Sequence, residues 1–313
     1  MKTTSVLINT YNYGLFVAEA VDSVLAQSLA PTEIIVVDDG STDDTRAVLA
    51  AKFGGNPAVK VIHQRNAGQL AAFVTGFENA TGDIILMLDA DDTYAPEHLA
   101  NVVRAFEAHP EVDFVFTAHR QFGEANAVLQ RSPQDQHQGF SLIGTFARML
   151  LVGSATSTLA MRRPLVLTLL PILRSVVPQW RIRADDSLVM GASLAGSQKY
   201  FLAEPTVNYR VHDKNLFHRR KPNTADDYAH WLRREALKTV CATRLGIPPD
   251  VAQQVDMEFS TLPFPTRQAY EEYVAIVWSL RASLWVKLKK RLKLYAHFRR
   301  TQRTGKSRHL PGT

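Results

Sequence analysis

The sequence predicts an α/β fold built on a mostly parallel sheet with helices on both faces. Three observations carry this. Aliphatic runs at residues 5–8, 34–37 and 84–88 lack polar alternation, the mark of strands buried on both sides. Segments of helical period lie between them, joined by connections short enough for repeated strand–helix–strand units. Polar clusters at 9–12, 38–41 and 89–92 follow the carboxyl ends of those strands, where ligands of such sheets bind. The three clusters are therefore expected to converge on one crevice.

In chain order, residues 5–8 form the first strand and Asn9-Thr10-Tyr11-Asn12 the turn that leaves it. Phe16, Val17, Ala20, Val21, Val24 and Leu25 recur at helical spacing, and Pro31 closes the unit. Glu33–Asp38 is the second strand, broken by Asp39-Gly40-Ser41. Ser41 or Thr42 is placed to cap the next helix, with Asp43 and Asp44 in its first turn favouring the dipole. Residues 59–63 form a third strand. Asn66-Ala67-Gly68 leads into a helix carrying Leu70, Phe73, Val74 and Phe77 and stopped at Gly82. The strand 84–88 follows, and Pro96 starts another helix. Further on, 112–117 reads as a strand, 131–139 as a polar loop, 142–151 as a helix and 156–161 as a short strand. Residues 165–176 are helical or irregular around Pro171. Ala184–Leu194 is a helix opening on Asp185-Asp186, 200–212 is extended, and the pattern from Asp226 onward is helical.

The composition is that of a globular protein, with 46% hydrophobic and 21% charged residues over 313 positions, enough for one large domain or a domain with an appendage. A lone cysteine, Cys241, excludes an intrachain disulfide framework and a cysteine-rich zinc site, so a reducing compartment is the expectation. The N-terminus turns polar too early for a signal peptide, and no apolar stretch reaches the roughly 20 residues of a spanning helix. Between Arg281 and His309 there are eleven Lys or Arg and no acidic residue. Subtracting them from the net +6 leaves −5 on the rest. Basicity thus belongs to the tail, which argues against a nucleic-acid-binding core.

The chemistry concentrates at Asp89-Ala90-Asp91-Asp92, after the strand 84–88. Carboxylates crowded at a strand end repel one another and cost desolvation energy unless a cation or donors neutralise them. Mg²⁺ or Mn²⁺, with substrate phosphates in its shell, answers that requirement.

Two long blocks carry a resemblance. SVLINTYNYGLFVAEAVDSVLAQSLAPTEIIVVDDGSTDDT and NAGQLAAFVTGFENATGDIILMLDADD resemble, in order, the opening blocks of the inverting, nucleotide-sugar-dependent glycosyltransferases of family 2. The likeness spans residues 3–215. It implies the GT-A fold: a Rossmann-like, mostly parallel central sheet flanked by helices, here with a helical C-terminal extension. It also implies a catalytic domain over 1–222, with 1–110 as the nucleotide-sugar-binding half, 111–222 as the acceptor half and 223–313 as the extension. By the same resemblance Thr10 and Tyr11 match the turn contacting the base, and Asp39 the aspartate bonded to it, with Asp38 beside it and Asn66 in the donor site. Asp89 and Asp91 match the D-x-D motif, the first nearer the ribose and the second on the divalent cation (Mn²⁺ or Mg²⁺). Asp92 is the alternative ligand, and His212 sits where some members reach the metal or diphosphate. The general base at a helix start matches Asp185, or Asp186 if the register shifts by one, since Ala184 replaces the usual Glu.

The residue types agree with that chemistry. In-line attack by a hydroxyl needs a base on one face, contributing about 10²–10⁴-fold, and a stabilised diphosphate on the other. One base without a carboxylate nucleophile implies inversion. Phe73-Val74 stands where the family often carries Arg-Asn, and the Gln-x-x-Arg-Trp signature of processive synthases is absent, so transfer of a single sugar is expected. The implied partners are a nucleotide-diphosphate sugar and a glycan or lipid-linked acceptor, in cell-surface polysaccharide synthesis, at a cytoplasmic location. Two other readings stand: a degenerate homologue that binds a nucleotide-sugar or scaffolds partners, and another Rossmann-like nucleotide enzyme, the latter opposed by the missing G-x-G-x-x-G.

In the tail, Leu284, Leu288, Leu292 and Tyr295, with Trp285, share one helical face, and Lys287, Lys289, Lys290, Arg291 and Lys293 take the remainder. Two readings follow. The helix lies on the anionic inner face of the cell membrane, or it packs on the catalytic domain with its basic face solvated.

Overall fold

The computed structural model describes residues 2–213 and 223–307. Strands and helices alternate through β1 (Thr4–Thr10), α1 (Val17–Leu25), β2 (Glu33–Asp38), α2 (Thr45–Phe53), β3 (Val59–His63), α3 (Gln69–Asn79) and β4 (Ile84–Asp89). Then come β5 (Thr93–Tyr94), α4 (His98–Ala108), β6 (Phe114–Gly123), β7 (Val128–Leu129), β8 (Gln136–Gly139), α5 (Leu142–Arg148), β9 (Leu159–Arg162), α6 (Arg163–Val176), α7 (Ala184–Leu194) and β10 (Lys199–Val211). The described chain ends with α8 (Thr224–Leu245), α9 (Val255–Ser260), α10 (Arg267–Ser279) and α11 (Leu284–Ser307).

The sheet runs β3-β2-β1-β4-β9-β6-β10-β5, with β7 pairing β6 and β8 pairing β10. β3, β2, β1 and β4 are mutually parallel, whereas β9 lies antiparallel between β4 and β6. Thr10 stands opposite Asp38, and Asn9 opposite Asp89, so the three polar strand ends are adjacent. Alternation is missing from β4 because both its faces are covered. Ile85 and Met87 pack toward α3, α6 and α7, while Ile84, Leu86 and Leu88 pack toward α1 and α4. Each fully buried aliphatic side chain here contributes about 1.5–3 kcal/mol.

Several element boundaries differ from expectation. α2 starts at Thr45, not behind Ser41 or Thr42. The Asp43 carboxylate accepts from Thr45 N (3.0 Å) and Thr45 Oγ1 (2.5 Å), an Asx turn nearer the helix start. The Ser41 hydroxyl instead accepts from Asn12 N (2.9 Å) and ties the first turn to the second. β6 runs on to Gly123 because β10 pairs along it, and β8 forms inside the polar loop by backbone pairing with β10. Residues 156–158 make a 3₁₀ turn before the strand begins at Leu159, α4 begins at His98 rather than at Pro96, and α6 continues through Pro171.

A separate core joins α9, α10 and α11 to α5, built on Ile143, Phe259, Tyr273, Ile276, Val277 and Leu294. Glu258 of α9 seals this junction. Its carboxylate accepts from Ile143 N (2.7 Å) and Gly144 N (2.9 Å), the otherwise orphaned donors of α5, and from the Tyr273 hydroxyl (2.7 Å). α8 belongs elsewhere, with Leu237 and Cys241 in the core under the sheet. The division at 222 and the tail from Arg308 lie outside the described residues.

One side of α11 packs and the other is exposed. The helix packs through Leu294 and His297, and Lys290 and Lys293 are tied to Asp256 (2.5 and 2.8 Å). The predicted apolar stripe nevertheless faces outward, with Trp285 82% exposed and Leu284, Leu292 and Tyr295 exposed as well. Among the described residues no helix is long and apolar enough to cross a membrane.

Candidate active site

The ends of β1, β2 and β4 meet the start of α7 around a cleft of about 490 Å³. Thr10, Tyr11, Asp39, Asn66, Asp89, Asp91 and Asp185 all line it. Two glycines shape the loop that borders it. Gly40 (φ +77°) and Gly68 (φ +100°) adopt left-handed backbone, and a Cβ would stand 2.8 Å from Asn66 N at the first and 2.5 Å from Arg181 Cα at the second. The loop between them wraps the Asp39 carboxylate, which accepts from Gln64 Nε2 (2.6 Å), Ala67 N (2.9 Å) and Gly68 N (2.7 Å). Asp39 therefore braces the loop as well as walling the cleft.

Asp38, expected in the donor site beside it, is fully buried behind the turn and is not on the cleft wall. It accepts from Ser41 N and meets His63 Nδ1, each at 2.9 Å. Burial pushes its carboxyl up, but these contacts prevail and hold it below the usual carboxylate range. Neighbouring residues leaving a strand face opposite sides, so only one of the two aspartates can look into the cleft.

At the end of β4 the carboxylates are crowded. Asp89 accepts from Gln69 Nε2 (2.9 Å), and burial followed by the Asp91 charge pushes it up to about 7. Asp91 lines the cleft, with His212 Nε2 3.1 Å from its Oδ2. Asp92 points away from the cleft and accepts from Ser157 Oγ (2.6 Å) and Arg210 N (2.8 Å). Burial, then Asp91 and Asp89, raise it well above the usual range. Clustered carboxyls that burial and repulsion make costly, beside one imidazole, fit a hard divalent cation such as Mn²⁺ or Mg²⁺.

Across the cleft, Arg183 takes a left-handed turn (φ +64°) into α7. Asp185 is half-buried and lines the cleft, and burial, with the neighbouring Asp186 charge, pushes it up to about 6. Asp186 turns to α8, accepting from His230 Nε2 (2.7 Å) and Arg234 Nη2 (2.8 Å). Burial pushes Asp186 up, yet those partners hold it below the usual range.

Sequence reasoning missed the residues that fasten the two sides together. Gln69 donates to Asp89 and accepts from Ala184 N (3.0 Å), joining β4 to α7. Ser157 donates to the Asp92 carboxylate and accepts from Asp89 N (3.1 Å), so one hydroxyl ties the Asp92 side chain to the β4 backbone end. Arg210 donates Nε to Asp91 O (2.8 Å), with its guanidinium over Phe16 and Phe122. The side chains of Arg181 and Asn66 bond to one another, and Tyr209 lines the cleft beside them. Asn66 belongs to the expected donor site; of the others, only Gln69 carried a sequence signal, directly after the Asn66-Ala67-Gly68 turn.

The fold is that of the GT-A glycosyltransferases. Residues 1–349 of Staphylococcus aureus TarS, solved in complex with UDP-GlcNAc, superpose with a TM-score of 0.58 at 15% identity, covering 97% of this chain and 92% of that one. The glycosyl transferase family 2 profile matches residues 5–168, and the chain belongs to that family. An uncharacterized glycosyltransferase of Nostoc sp. is 36% identical over 218 residues, 67% of this chain and 65% of that protein. The undecaprenyl-phosphate 4-deoxy-4-formamido-L-arabinose transferase of Pseudomonas syringae is 36% identical over 126 residues, 39% of this chain and 37% of that protein. The chain thus spans less than two thirds of the length of these curated relatives.

Proposed function

We propose that this protein is an inverting, metal-dependent glycosyltransferase moving one sugar from a nucleotide-diphosphate sugar to a hydroxyl of a glycan or lipid-linked acceptor, in cell-surface polysaccharide synthesis. The observation that carries this is Asp185 facing the Asp89 and Asp91 strand end across a single cleft. A carboxyl raised to about 6 is ionised at neutral pH yet basic enough to take a proton from an attacking hydroxyl, which makes Asp185 the general base. Asp186, bonded through Oδ2 to His230 and Arg234, positions α7.

Asp89 and Asp91, with His212 beside Asp91, are the residues that would hold Mn²⁺ or Mg²⁺, and Asp92 supports them from behind. When bound, the cation offsets charge developing on the diphosphate leaving group. Thr10, Asp39 and Asn66 wall the nucleoside end, and the exposed ring of Tyr11 offers a stacking surface for the base. A base with no unpaired carboxylate beside it to act as nucleophile favours direct displacement and inversion.

A relative named for undecaprenyl phosphate supports a lipid-linked acceptor. The exposed Leu284, Trp285, Leu292 and Tyr295, flanked by Lys289 and Arg291, support contact with the anionic inner leaflet of the cell membrane and so a cytoplasmic location. Because α11 also buries Leu294 in a core, the test of that contact is a point change. Trp285→Glu should lower binding to phosphatidylserine vesicles without lowering the melting temperature, and unchanged binding would remove the membrane from the proposal.

The primary test is a thermal-shift panel of UDP, GDP, CMP and dTDP sugars with and without Mn²⁺, in which the true donor stabilises by RT ln(1 + [L]/Kd). Transfer with that donor should disappear in Asp185→Asn while the shift persists. A shift without transfer in the parent chain would favour a binding homologue, and no shift with any donor would overturn the reading.

A further inference from the structure

A second cluster of ligating side chains lies away from the cleft. His109 follows the last turn of α4, Glu111 lies two residues on before β6, and His137 stands on β8. Their donor atoms face one another: His137 Nε2 is 3.2 Å from His109 Nδ1 and 3.5 Å from Glu111 Oε1, and His109 Nδ1 is 3.7 Å from the same oxygen. Ligands at about 2.0–2.1 Å from Zn²⁺ form a tetrahedron with edges of about 3.3–3.4 Å, and an octahedron of that size would need edges of about 2.9 Å. The three separations straddle the tetrahedral value. We propose that His109, Glu111 and His137 form a zinc site of two imidazoles and one carboxylate, with the fourth position open to water.

The cluster is built, not fortuitously crowded. The Tyr200 ring stacks on His109 (4.3 Å, 29°) and meets His137 edge-on (4.9 Å, 86°), which orients both imidazoles. Tyr200 is itself the register partner of His137 in the β8–β10 pairing. The His109 carbonyl accepts from Val112 N (3.0 Å) and Arg162 Nη2 (3.2 Å), which holds the turn that carries Glu111. β4 and β6 are both antiparallel to β9, so the start of β6 lies at the end of the sheet opposite the cleft. The ion would therefore tie the α4–β6 turn to β8 and take no part in transfer. Its ligands come from positions 28 residues apart, which no local motif reveals.

The test uses the full, tag-free chain, stripped with a chelator and kept free of nucleotide at neutral pH. Titration with Zn²⁺ against a chromophoric chelator should find one equivalent bound, and Co²⁺ should give the visible absorption of a tetrahedral centre. Asp91→Ala should keep that equivalent, whereas His109→Gln and His137→Gln should each weaken it by about 100-fold or more. Should a histidine variant fail to fold, Glu111→Gln at its exposed position gives the same reading. No retained Zn²⁺, undiminished affinity in the His109 and His137 variants, or loss of the equivalent in Asp91→Ala would each overturn the proposal. In all three cases His109 and His137 would be a hydrogen-bonded pair only.

Discussion

Two adjacent aspartate pairs stand on opposite walls of the cleft, Asp91-Asp92 after β4 and Asp185-Asp186 opening α7, and the two divide in the same way. One member of each lines the cleft, Asp91 in the first and Asp185 in the second. The other is consumed by the scaffold: Asp92 by Ser157 and the Arg210 backbone, Asp186 by His230 and Arg234. The pairs differ in how the scaffold member is neutralised. Asp186 meets the Arg234 and Arg183 guanidinium groups and is held below the usual carboxylate range, whereas Asp92 meets neutral donors in a buried site beside two other carboxylates and is pushed toward its protonated form. Chemical identity therefore assigns no role here; partners and burial do.

That contrast can be broken by exchanging charge for amide in each pair. The largest effect is expected at the proposed base. Asp185→Asn should lower kcat by about 10²–10⁴-fold with donor binding retained. In the parent, kcat should fall as pH drops through about 6, where Asp185 gains its proton, and that limb should vanish in the variant. A kcat within threefold of the parent would move the base elsewhere.

Asp186→Asn should act mainly on stability. It leaves His230 and Arg234 facing an amide, at a cost of about 3 kcal/mol on denaturant unfolding. Loss of turnover with unchanged stability would exchange the roles of the two neighbours.

At the β4 end, Asp91→Asn should weaken Mn²⁺ affinity in the presence of donor by about 10–100-fold. Asp92→Asn, an amide in place of a carboxyl already driven toward neutrality, should change it by less than about threefold. Isothermal titration of both variants separates these outcomes, and equal losses would make Asp92 a ligand.

The smallest effect has a sign opposite to intuition. The folded Asp185 carboxyl lies near 6, above its ordinary 3.8, so its ionisation destabilises the folded chain. The cost is absent below pH 3.8, grows between 3.8 and 6 and is complete above 6. The Asp185→Asn protein should accordingly be more stable than the parent at pH 8 by about 2 kcal/mol, a gain that disappears near pH 4. Equal melting curves at pH 8 would remove the burial argument for the base.

Much of this arrangement was legible in the residues. Doubly buried strands announce themselves by unbroken aliphatic runs, and a parallel sheet must bring its polar strand ends to one side. Thr10, Tyr11, Asp39, Asp89 and Asp91 follow from those strand ends, whereas Asn66 and Asp185 are implied by the family resemblance, and all seven line the one cleft. Asp38 lies behind the strand end and off the cleft wall, because the alternation that turns it there depends on where β2 stops.

By itself the sequence determined the sheet, its order of use along the chain and the acidic ends that face the cleft, because these follow from local hydrophobic period and backbone connectivity. Only the tertiary structure decided which aspartate of each pair is accessible, that Gln69 and Ser157 lock the carboxylates, that α11 packs by one face and leaves its apolar stripe outside, and that His109, Glu111 and His137 meet. Each of these depends on contacts between elements far apart in sequence, such as Asp186 with His230 or Asp92 with Ser157. Burial and hydrogen bonding at such contacts are properties of the packed chain, and no residue carries them alone.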